Sequence, residues 1–312
     1  MQNIVVLGSI NMDLVVRTER APLAGETLSG TAFLTVPGGK GANQAVAIAR
    51  MGSQVSFIGR VGNDSFGEEL KGKLKQNGVN VEHVALDQQT TTGVALIIVE
   101  ANGENRIVII PAANGRVAPQ DVDQAVTLLK KSHVLVVQLE IPLESVAYGM
   151  QQAKALGLKV ALNPAPAKLL PDALLQQVDF LILNETETNL LIGLTVEDVP
   201  SARKAADHLH RKTGGDVILT LGSKGSVAVG AQGAWFMPAF KITAIDTTAA
   251  GDAFIGAFIS AYQGSLPEAV LVGNAAGALA CTKLGAQPSL PSAAEVQTFM
   301  QKEQSSVQVQ AL

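Results

Sequence analysis

The residues able to do chemistry in this chain lie in four short segments. The run Asp246-Thr247-Thr248-Ala249-Ala250-Gly251-Asp252 leads through a turn of small residues into the helical pattern Ala253-Phe254-Ile255-Gly256-Ala257-Phe258. Free backbone N–H groups at a helix start form an anion site. An aspartate there has two readings. It caps the helix, which stabilises by about 1 kcal/mol, or it is a base facing a phosphoryl acceptor. The small side chains of Ala249, Ala250 and Gly251 leave the amides uncovered, so a phosphate could reach them while Asp252 accepts a hydroxyl proton in line. The turn by itself does not choose.

A second segment, Pro37-Gly38-Gly39-Lys40-Gly41-Ala42-Asn43-Gln44, opens a helical stretch that ends at Gly52. Its glycines let the backbone approach a ligand, Lys40 adds a point charge, and Asn43 carries both donor and acceptor, which suits a polyhydroxylated substrate or a phosphate. The plain alternative is a flexible helix-entry loop. It is neither a Rossmann fingerprint, because Gln44 stands three after Gly41, nor a Walker A loop, because Gly41 follows Lys40 where Ser or Thr belongs.

The third segment is Asn184-Glu185-Thr186-Glu187, after the apolar run Phe180 to Leu183. Asn184 and Glu187 share a face of a first helical turn. They could steady a hydrated Mg²⁺, which keeps its waters and needs few carboxylates, or simply form a capping box. The fourth, Thr220-Leu221-Gly222-Ser223-Lys224-Gly225, is a strand end and glycine turn against which a nucleotide could lie, or just a turn. His83, His133, His208 and His210 have no metal-ligand spacing and read as surface residues, and no G-x-S-x-G elbow is present.

These segments need a scaffold, and composition indicates which kind. The 312 residues are 47% hydrophobic and 16% charged, with 30 glycines and only 4% aromatics, the make-up of tightly packed alternating helices and strands. Ile4-Val5-Val6-Leu7 is a continuous apolar run, as for a parallel strand buried on both faces. Asn11 and Asp13, just after it, would then sit at the sheet's carboxyl edge, where open α/β sheets bind ligands; otherwise they cap a turn. From about Asp121 the pattern is regular. A helix to Lys131, a strand Val134 to Gln138, a helix Glu144 to Leu156, strands Lys159 to Leu162 and Phe180 to Leu183, a helix Ala202 to Arg211 and a strand Val217 to Leu221 follow in turn. A late hairpin spans Ser226 to Val229 and Trp235 to Pro238, and helices begin at Ala249, Leu266 and Ala293. Two stretches interrupt the alternation. Leu14 to Val36 has β-rich pieces, and Val94 to Val99 pairs with Arg106 to Ile110 across Asn102-Gly103-Glu104, so strands at about 14–36 and 94–110 are expected to form a small sheet acting as a lid. The tail Gln304-Ser305-Ser306 reads as frayed.

Net charge is −4 with no basic cluster, which gives no footprint for nucleic acid or an anionic membrane. Cys281 is the single cysteine, so an intrachain disulfide is excluded and the residue reads as a small core side chain. The N-terminal run lacks the basic flank and length of a signal peptide, and Ala269 to Ala280 is shorter than the roughly 20 residues of a membrane helix. A soluble, cytoplasmic protein is expected.

In combination, Gly38-Gly39-Lys40-Gly41-Ala42-Asn43, Asn184-x-x-Glu187 and Asp246-Thr247-x-Ala249-Ala250-Gly251-Asp252 resemble, in identity and order, the ribokinase-like (PfkB) carbohydrate kinases. Gly8-Ser9-Ile10-Asn11-x-Asp13, Gln138-Leu139-Glu140, Leu162-Asn163-Pro164-Ala165-Pro166-Ala167 and Gly285-Ala286-Gln287-Pro288-Ser289 extend the resemblance over nearly the whole chain. It implies an α/β fold in a single domain 1–312: a mostly parallel, Rossmann-type sheet flanked by helices, with a small β-sheet lid. It also implies ATP-dependent phosphorylation of D-ribose at the 5-hydroxyl to give ribose 5-phosphate. Asp252 would be the general base and the Ala249, Ala250, Gly251 and Asp252 amides the anion hole.

By the same resemblance, Asn11, Met12, Asp13, Gly39, Lys40, Gly41, Ala42, Asn43, Glu140 and Asp252 would bind the sugar. Asn184, Thr220, Leu221, Gly222, Ser223, Lys224, Gly225, Gly251, Asp252 and Asn274 would contact the nucleotide. Glu187 would order Mg²⁺ through water, and a K⁺ beside the anion hole would lie among Asp246, Thr248, Ala280, Lys283, Gly285 and Ser289. A homodimer through the lid sheet is expected. The chain departs from the family pattern at Ala249, where many members have Gly, and at Asn274, where some have His. A kinase for deoxyribose, or a sugar-binding regulator without turnover, are the competing readings. Asn11 and Asp13 favour a substrate with a 2-hydroxyl, and Lys40, Glu187 and Asp252 together argue against a regulator.

Overall fold

The run Ile4-Val5-Val6-Leu7 becomes the centre of the structure because its alternate side chains enter two different cores. Ile4 and Val6 join one apolar cluster and Val5 and Leu7 the other, as a strand with period-two side chains covered on both faces requires. In this computed structural model, which describes residues 2–303 and 307–312, the strands among the described residues are, in chain order, β1 (Asn3–Leu7), β2 (Asn11–Arg17), β3 (Ala32–Gly38), β4 (Gln54–Gly62), β5 (Val79–Asp87), β6 (Gly93–Val99), β7 (Asn105–Ile110), β8 (Val134–Val137), β9 (Lys159–Leu162), β10 (Phe180–Asn184), β11 (Asp216–Thr220), β12 (Gly225–Gly230), β13 (Gly233–Pro238) and β14 (Gln310–Ala311).

Ten of them form one sheet in the order β14-β13-β12-β11-β10-β9-β8-β1-β4-β5. From β5 to β11 every pairing is parallel, and β12, β13 and β14 close that edge antiparallel. Helices Lys40–Arg50, Ala250–Ala261 and Leu266–Ala280 pack on one face, and Leu143–Ala155 and Val199–Thr213 on the other. The chain builds outward from β1 through β4 to β5, then returns to lay β8 on the opposite side of β1. The order therefore reverses between β1 and β8, and a crevice opens beyond their carboxyl ends. Gly8 and Ser9 leave β1 there, and Gln138 to Glu140 leave β8 there.

The other four strands form a separate sheet in the order β3-β2-β6-β7. Asn11 and Asp13 do not cap a turn but open β2, three residues earlier than the expected strand region, and β3 resumes only at Ala32. The expected helix from Asp121 to Lys131 is two short ones, Pro119–Gln124 and Val126–Leu129, because Ala125 sits at φ −98°, ψ 9° and interrupts the turn. The alternation also extends upstream, where β4, the helix Ser65–Gln76 and β5 form a parallel unit that the sequence reading did not mark. Cys281 is half-buried rather than in the core. Gln304, Ser305 and Ser306 lie outside the described residues. No helix among the described residues is long and apolar enough to cross a membrane.

Candidate active site

Asp252 is the third residue of helix Ala250–Ala261, and it does not cap that helix. The N-cap is Ala249, in the left-handed region at φ 59°, ψ 12°, with no side-chain cap bond. The Asp252 carboxylate instead faces the neighbouring helix Lys40–Arg50. Its Oδ2 accepts from Asn43 Nδ2 at 3.0 Å and its Oδ1 from Gln44 Nε2 at 3.0 Å. The helices come this close because Gly256 has no side chain: a Cβ there would lie 2.3 Å from Ala47 Cβ and 2.9 Å from the Ile48 nitrogen. Contacts advance four residues on both helices together, from Asn43 and Gln44 against Asp252 to Ala47 and Ile48 against Gly256. The helices therefore run the same way and open their N-termini on one side.

The entry to helix Lys40–Arg50 is built on glycine. Gly39 has φ 88°, and a Cβ there would meet the Asn11 nitrogen at 2.8 Å, while one on Gly41 would meet the Ser9 nitrogen at 2.7 Å. This close approach lets Glu140 Oε2 accept from the Lys40 backbone N–H at 2.9 Å and from Ser9 Oγ at 2.5 Å. Asn11 Oδ1 accepts from Asn114 Nδ2 at 2.7 Å, and Asn114 is itself clamped between Ile10 N and Ile10 O, both at 2.9 Å. Asn114 thus fixes the amide of Asn11 with its NH₂ free to donate. Asp13 stands two residues on along the same face of β2. Burial, then the Glu140 and Asp252 carboxylates, push its pKa up to about 7. Asn43 Oδ1 is buried without a partner among the described residues. Met12 points to the opposite face of β2 and is fully buried in the core, as is Ala42.

Beyond Asp252 lies a cleft of about 220 Å³ lined by Lys40, Asn184, Glu187, Thr220, Thr247 and Ala249 to Asp252, among others. Asn184 and Glu187 form a capping box: Glu187 N donates to Asn184 Oδ1 at 2.9 Å and Asn184 N to Glu187 Oε2 at 3.0 Å. Burial pulls the Lys40 ammonium down, but the Asp252, Glu140 and Glu187 carboxylates outweigh it and leave Lys40 above its ordinary value. Burial pushes Asp252 up more strongly than Lys40, Asn43 and Gln44 pull it down. Glu187 is raised likewise by burial, against the Asn184 N–H and Lys40. The cleft thus pairs a buried carboxylate of enhanced basicity with an ammonium and a bare helix N-terminus, the elements for taking a hydroxyl proton beside a bound anion.

Other expected residues lie further out. Leu221 and Gly225 are buried, whereas Gly222, Ser223 and Lys224 are exposed, and the Lys224 ammonium donates to the Glu197 carbonyl. Asn274 is held by the late hairpin, accepting from Ser226 Oγ at 3.1 Å and donating to the Met237 carbonyl at 3.3 Å. Asp246, Thr248 and Gly285 come together: Asp246 Oδ1 accepts from Thr248 N at 2.9 Å and Oγ1 at 2.6 Å, and Oδ2 from Gly285 N at 2.9 Å. Ala280 is buried, Ser289 Oγ donates to the Ala286 carbonyl, and the Lys283 ammonium pairs with Glu295 at 2.8 Å. Sequence reasoning gave no role to Ser9, Gln44, Asn114, Gln138 or Asn163, all of which bond to site residues or to each other here. Gln44 stands beside Asn43, and Ser9, Gln138 and Asn163 lie in segments that carry the resemblance, whereas Asn114 had no signal.

A family model described as pfkB family carbohydrate kinase matches residues 1–293. The chain is 43% identical to a ribokinase of Haemophilus influenzae over 96% of this chain and 99% of that one. It is 38% identical to a deoxyribokinase of Salmonella typhi over 96% and 98%. Among solved structures, ribokinase from Thermotoga maritima superposes with a TM-score of 0.87 at 35% identity, covering 96% of this chain and 100% of the other. Arabidopsis thaliana ribokinase complexed with ribose and ATP gives 0.88 at 30% identity, covering 96% and 98%. The chain belongs to the pfkB family of carbohydrate kinases.

Proposed function

We propose that this chain transfers the γ-phosphoryl group of ATP to the 5-hydroxyl of D-ribose, giving ribose 5-phosphate. One observation carries the reading: buried Asp252 lines the cleft at a helix start without capping it, held by Asn43 and Gln44 and within the electrostatic reach of Lys40. A carboxylate so placed accepts the hydroxyl proton as the oxygen attacks phosphorus, and the amides of Ala249 to Asp252 hold the phosphoryl oxygens. Lys40 offsets the negative charge of the group in transfer.

The sugar is held by Asn11, Asp13, Gly39, Asn43 and Glu140. Asn11 presents a fixed donor, Asp13 and Asn43 Oδ1 present acceptors, and two adjacent hydroxyls satisfy such a set. Ribose is favoured over 2-deoxyribose because the missing hydroxyl would leave one of these buried groups unpaired. The nucleotide lies along Asn184, Thr220 and the turn to Gly225, toward Asn274.

Among the described residues no group of three His, Cys, Asp or Glu side chains gathers to hold a metal. Besides the proposed base Asp252, a single carboxylate, Glu187, borders the cleft, which fits a Mg²⁺ that keeps its waters and is held chiefly by the phosphates. Bound there, it would neutralise phosphate charge. Partial burial pushes Asp246 up, but its bonds to Thr248 and Gly285, with Arg17 nearby, keep it ionised and below its usual range. With the backbone carbonyls near Ala280, Gly285 and Ser289, that donor set is all oxygen and fits K⁺, which would steady the Thr247 to Ala250 turn.

The small sheet covers the sugar as a lid. It leaves Phe33 63%, Val108 61% and Ile107 51% exposed, and a second copy packing there would form a homodimer. We place the enzyme in the cytoplasm, where ATP is supplied. The test is ADP release from ATP with a panel of pentoses and hexoses, with and without K⁺. Ribose should be the fastest substrate and K⁺ should raise its rate. ADP release independent of sugar, or none with any sugar, would overturn the reading.

A further inference from the structure

Behind Asp252 lies a polar chain whose two glutamines, Gln44 and Gln138, do not line the cleft, whereas Asn163 beside them does. Gln44 Nε2 donates to Asp252 Oδ1 at 3.0 Å, and Gln44 Oε1 accepts from Gln138 Nε2 at 2.6 Å. Gln44 and Gln138 are both fully buried. The orientation of the whole chain follows from its end. An ionised carboxylate only accepts, so Gln44 must turn its NH₂ to Asp252, and its oxygen must then find a donor, which Gln138 supplies. The second Gln44 N–H lies 3.4 Å from Asn163 Oδ1, and Asn163 Nδ2 donates to the Ile182 carbonyl at 3.0 Å. Space for Gln138 exists only because residue 8 is glycine: a Cβ there would lie 2.2 Å from Gln138 Oε1. Gln138 Oε1 is buried without a partner among the described residues, a cost that packing alone does not explain.

We propose that Gln44, oriented by Gln138, is a positioning residue for the base: it fixes the rotamer of Asp252 and keeps the carboxylate ionised. This rests on Asp252 being the base. Asn43 gives the other carboxylate oxygen its donor, but Asn43 is also one of the residues assigned above to the sugar. Gln44 is fully buried and does not line the cleft. Gln138 lies two residues before Glu140, which takes the Lys40 backbone N–H and Ser9 hydroxyl. One segment beyond β8 therefore supports both the substrate pocket and the base.

The test is the pH dependence of kcat at saturating ribose and ATP in the full-length enzyme. The volume-matched variant Gln44→Met removes the donor without adding charge. Its acid limb should move up by about one pH unit, the shift expected for loss of one hydrogen bond to a charged group. kcat at neutral pH should drop about tenfold with the ribose Kd within about threefold of wild type. Gln138→Met, which touches neither Asp252 nor any ligand, should move the limb the same way by a smaller amount. Lys40, Asp13, Glu140 and Glu187, which also face Asp252, are common to all three enzymes, so the difference isolates the carboxamides. An unmoved limb in folded Gln44→Met would overturn the proposal, and if that variant does not fold, an unmoved limb in Gln138→Met would do so. Asp252→Asn separates the two claims: turnover retained there sinks the base itself, whereas turnover lost there with an unmoved limb in Gln44→Met sinks the positioning role alone.

Discussion

Asn43 Nδ2 donates to Asp252 Oδ2 at 3.0 Å across the first turns of two helices, while the oxygen of the same amide is buried without a partner among the described residues. One amide thus serves the base with its nitrogen and leaves its oxygen for the sugar in the reading proposed above. Asn43→Ala should weaken both functions. A hydrogen bond to a charged group contributes roughly 1.5–3 kcal/mol, so kcat should fall about 10- to 100-fold with a rise in the ribose KM. A variant with altered KM and wild-type kcat would show that the bond to Asp252 has no catalytic part.

The pKa of Asp13, raised to about 7 in the folded protein from 3.8, makes a signed prediction. Between those values the folded state holds a proton that the unfolded state has lost, so this group's contribution to stability falls as pH rises from 4 to 7 and is constant above. Protonated Asp13 also gives up acceptor capacity, so the ribose KM should rise as pH drops below about 7. Melting temperature and KM from pH 5 to 8, compared with Asp13→Asn, check both. If the variant keeps the wild-type slopes, Asp13 is not the titrating group.

Ala249 holds a conformation that costs an L-residue roughly 1–2 kcal/mol, at φ 59°. Glycine would relieve this while adding about 0.5–1 kcal/mol of unfolded-chain entropy. Ala249→Gly should therefore be as stable as wild type or up to about 1.5 kcal/mol more so, and it leaves the amides of the proposed anion hole in place. Ala249→Val should be clearly destabilised. Urea midpoints decide, and a large loss in the glycine variant would contradict the conformation.

At the contact of the two helices, Gly256→Ala places a Cβ 2.3 Å from Ala47 Cβ. Overpacking of this kind costs about 1–3 kcal/mol, and relief by separating the helices would draw Asn43 and Gln44 away from Asp252. Lower stability and lower kcat should appear together. Lower stability with unchanged kcat would show that the spacing is not transmitted to the base.

Much of this was legible in the sequence, for identifiable reasons. The run Ile4 to Leu7 announces a doubly buried strand because period-two burial on both faces leaves no room for polar residues. Asp252 was legible as a candidate from the small residues beside it, but only together with the Gly38 to Asn43 and Asn184 to Glu187 segments did the sequence favour a base over a cap. The capping box of Asn184 and Glu187 has the same spacing as a metal-ordering pair, so spacing could not separate them. Asn114 was silent because a lone buried amide carries no periodic signal, and Gln44, Gln138 and Asn163 stood inside recognisable motifs without any sign of what they bond. Their partners lie 94 to 208 residues away for Gln44 and 103 for Asn114 with Asn11. The short strand β14 was equally hidden, since two residues are too few to show alternation.

The most direct test of the central claim is Asp252→Asn, measured for ribose Kd and for kcat in the same preparation. The carboxamide keeps the size of the side chain and removes the base. Ribose should bind within about threefold of wild type while kcat falls by on the order of 10³-fold, since a positioned base contributes 10²–10⁴. Near-normal turnover in that variant would contradict the role given to Asp252.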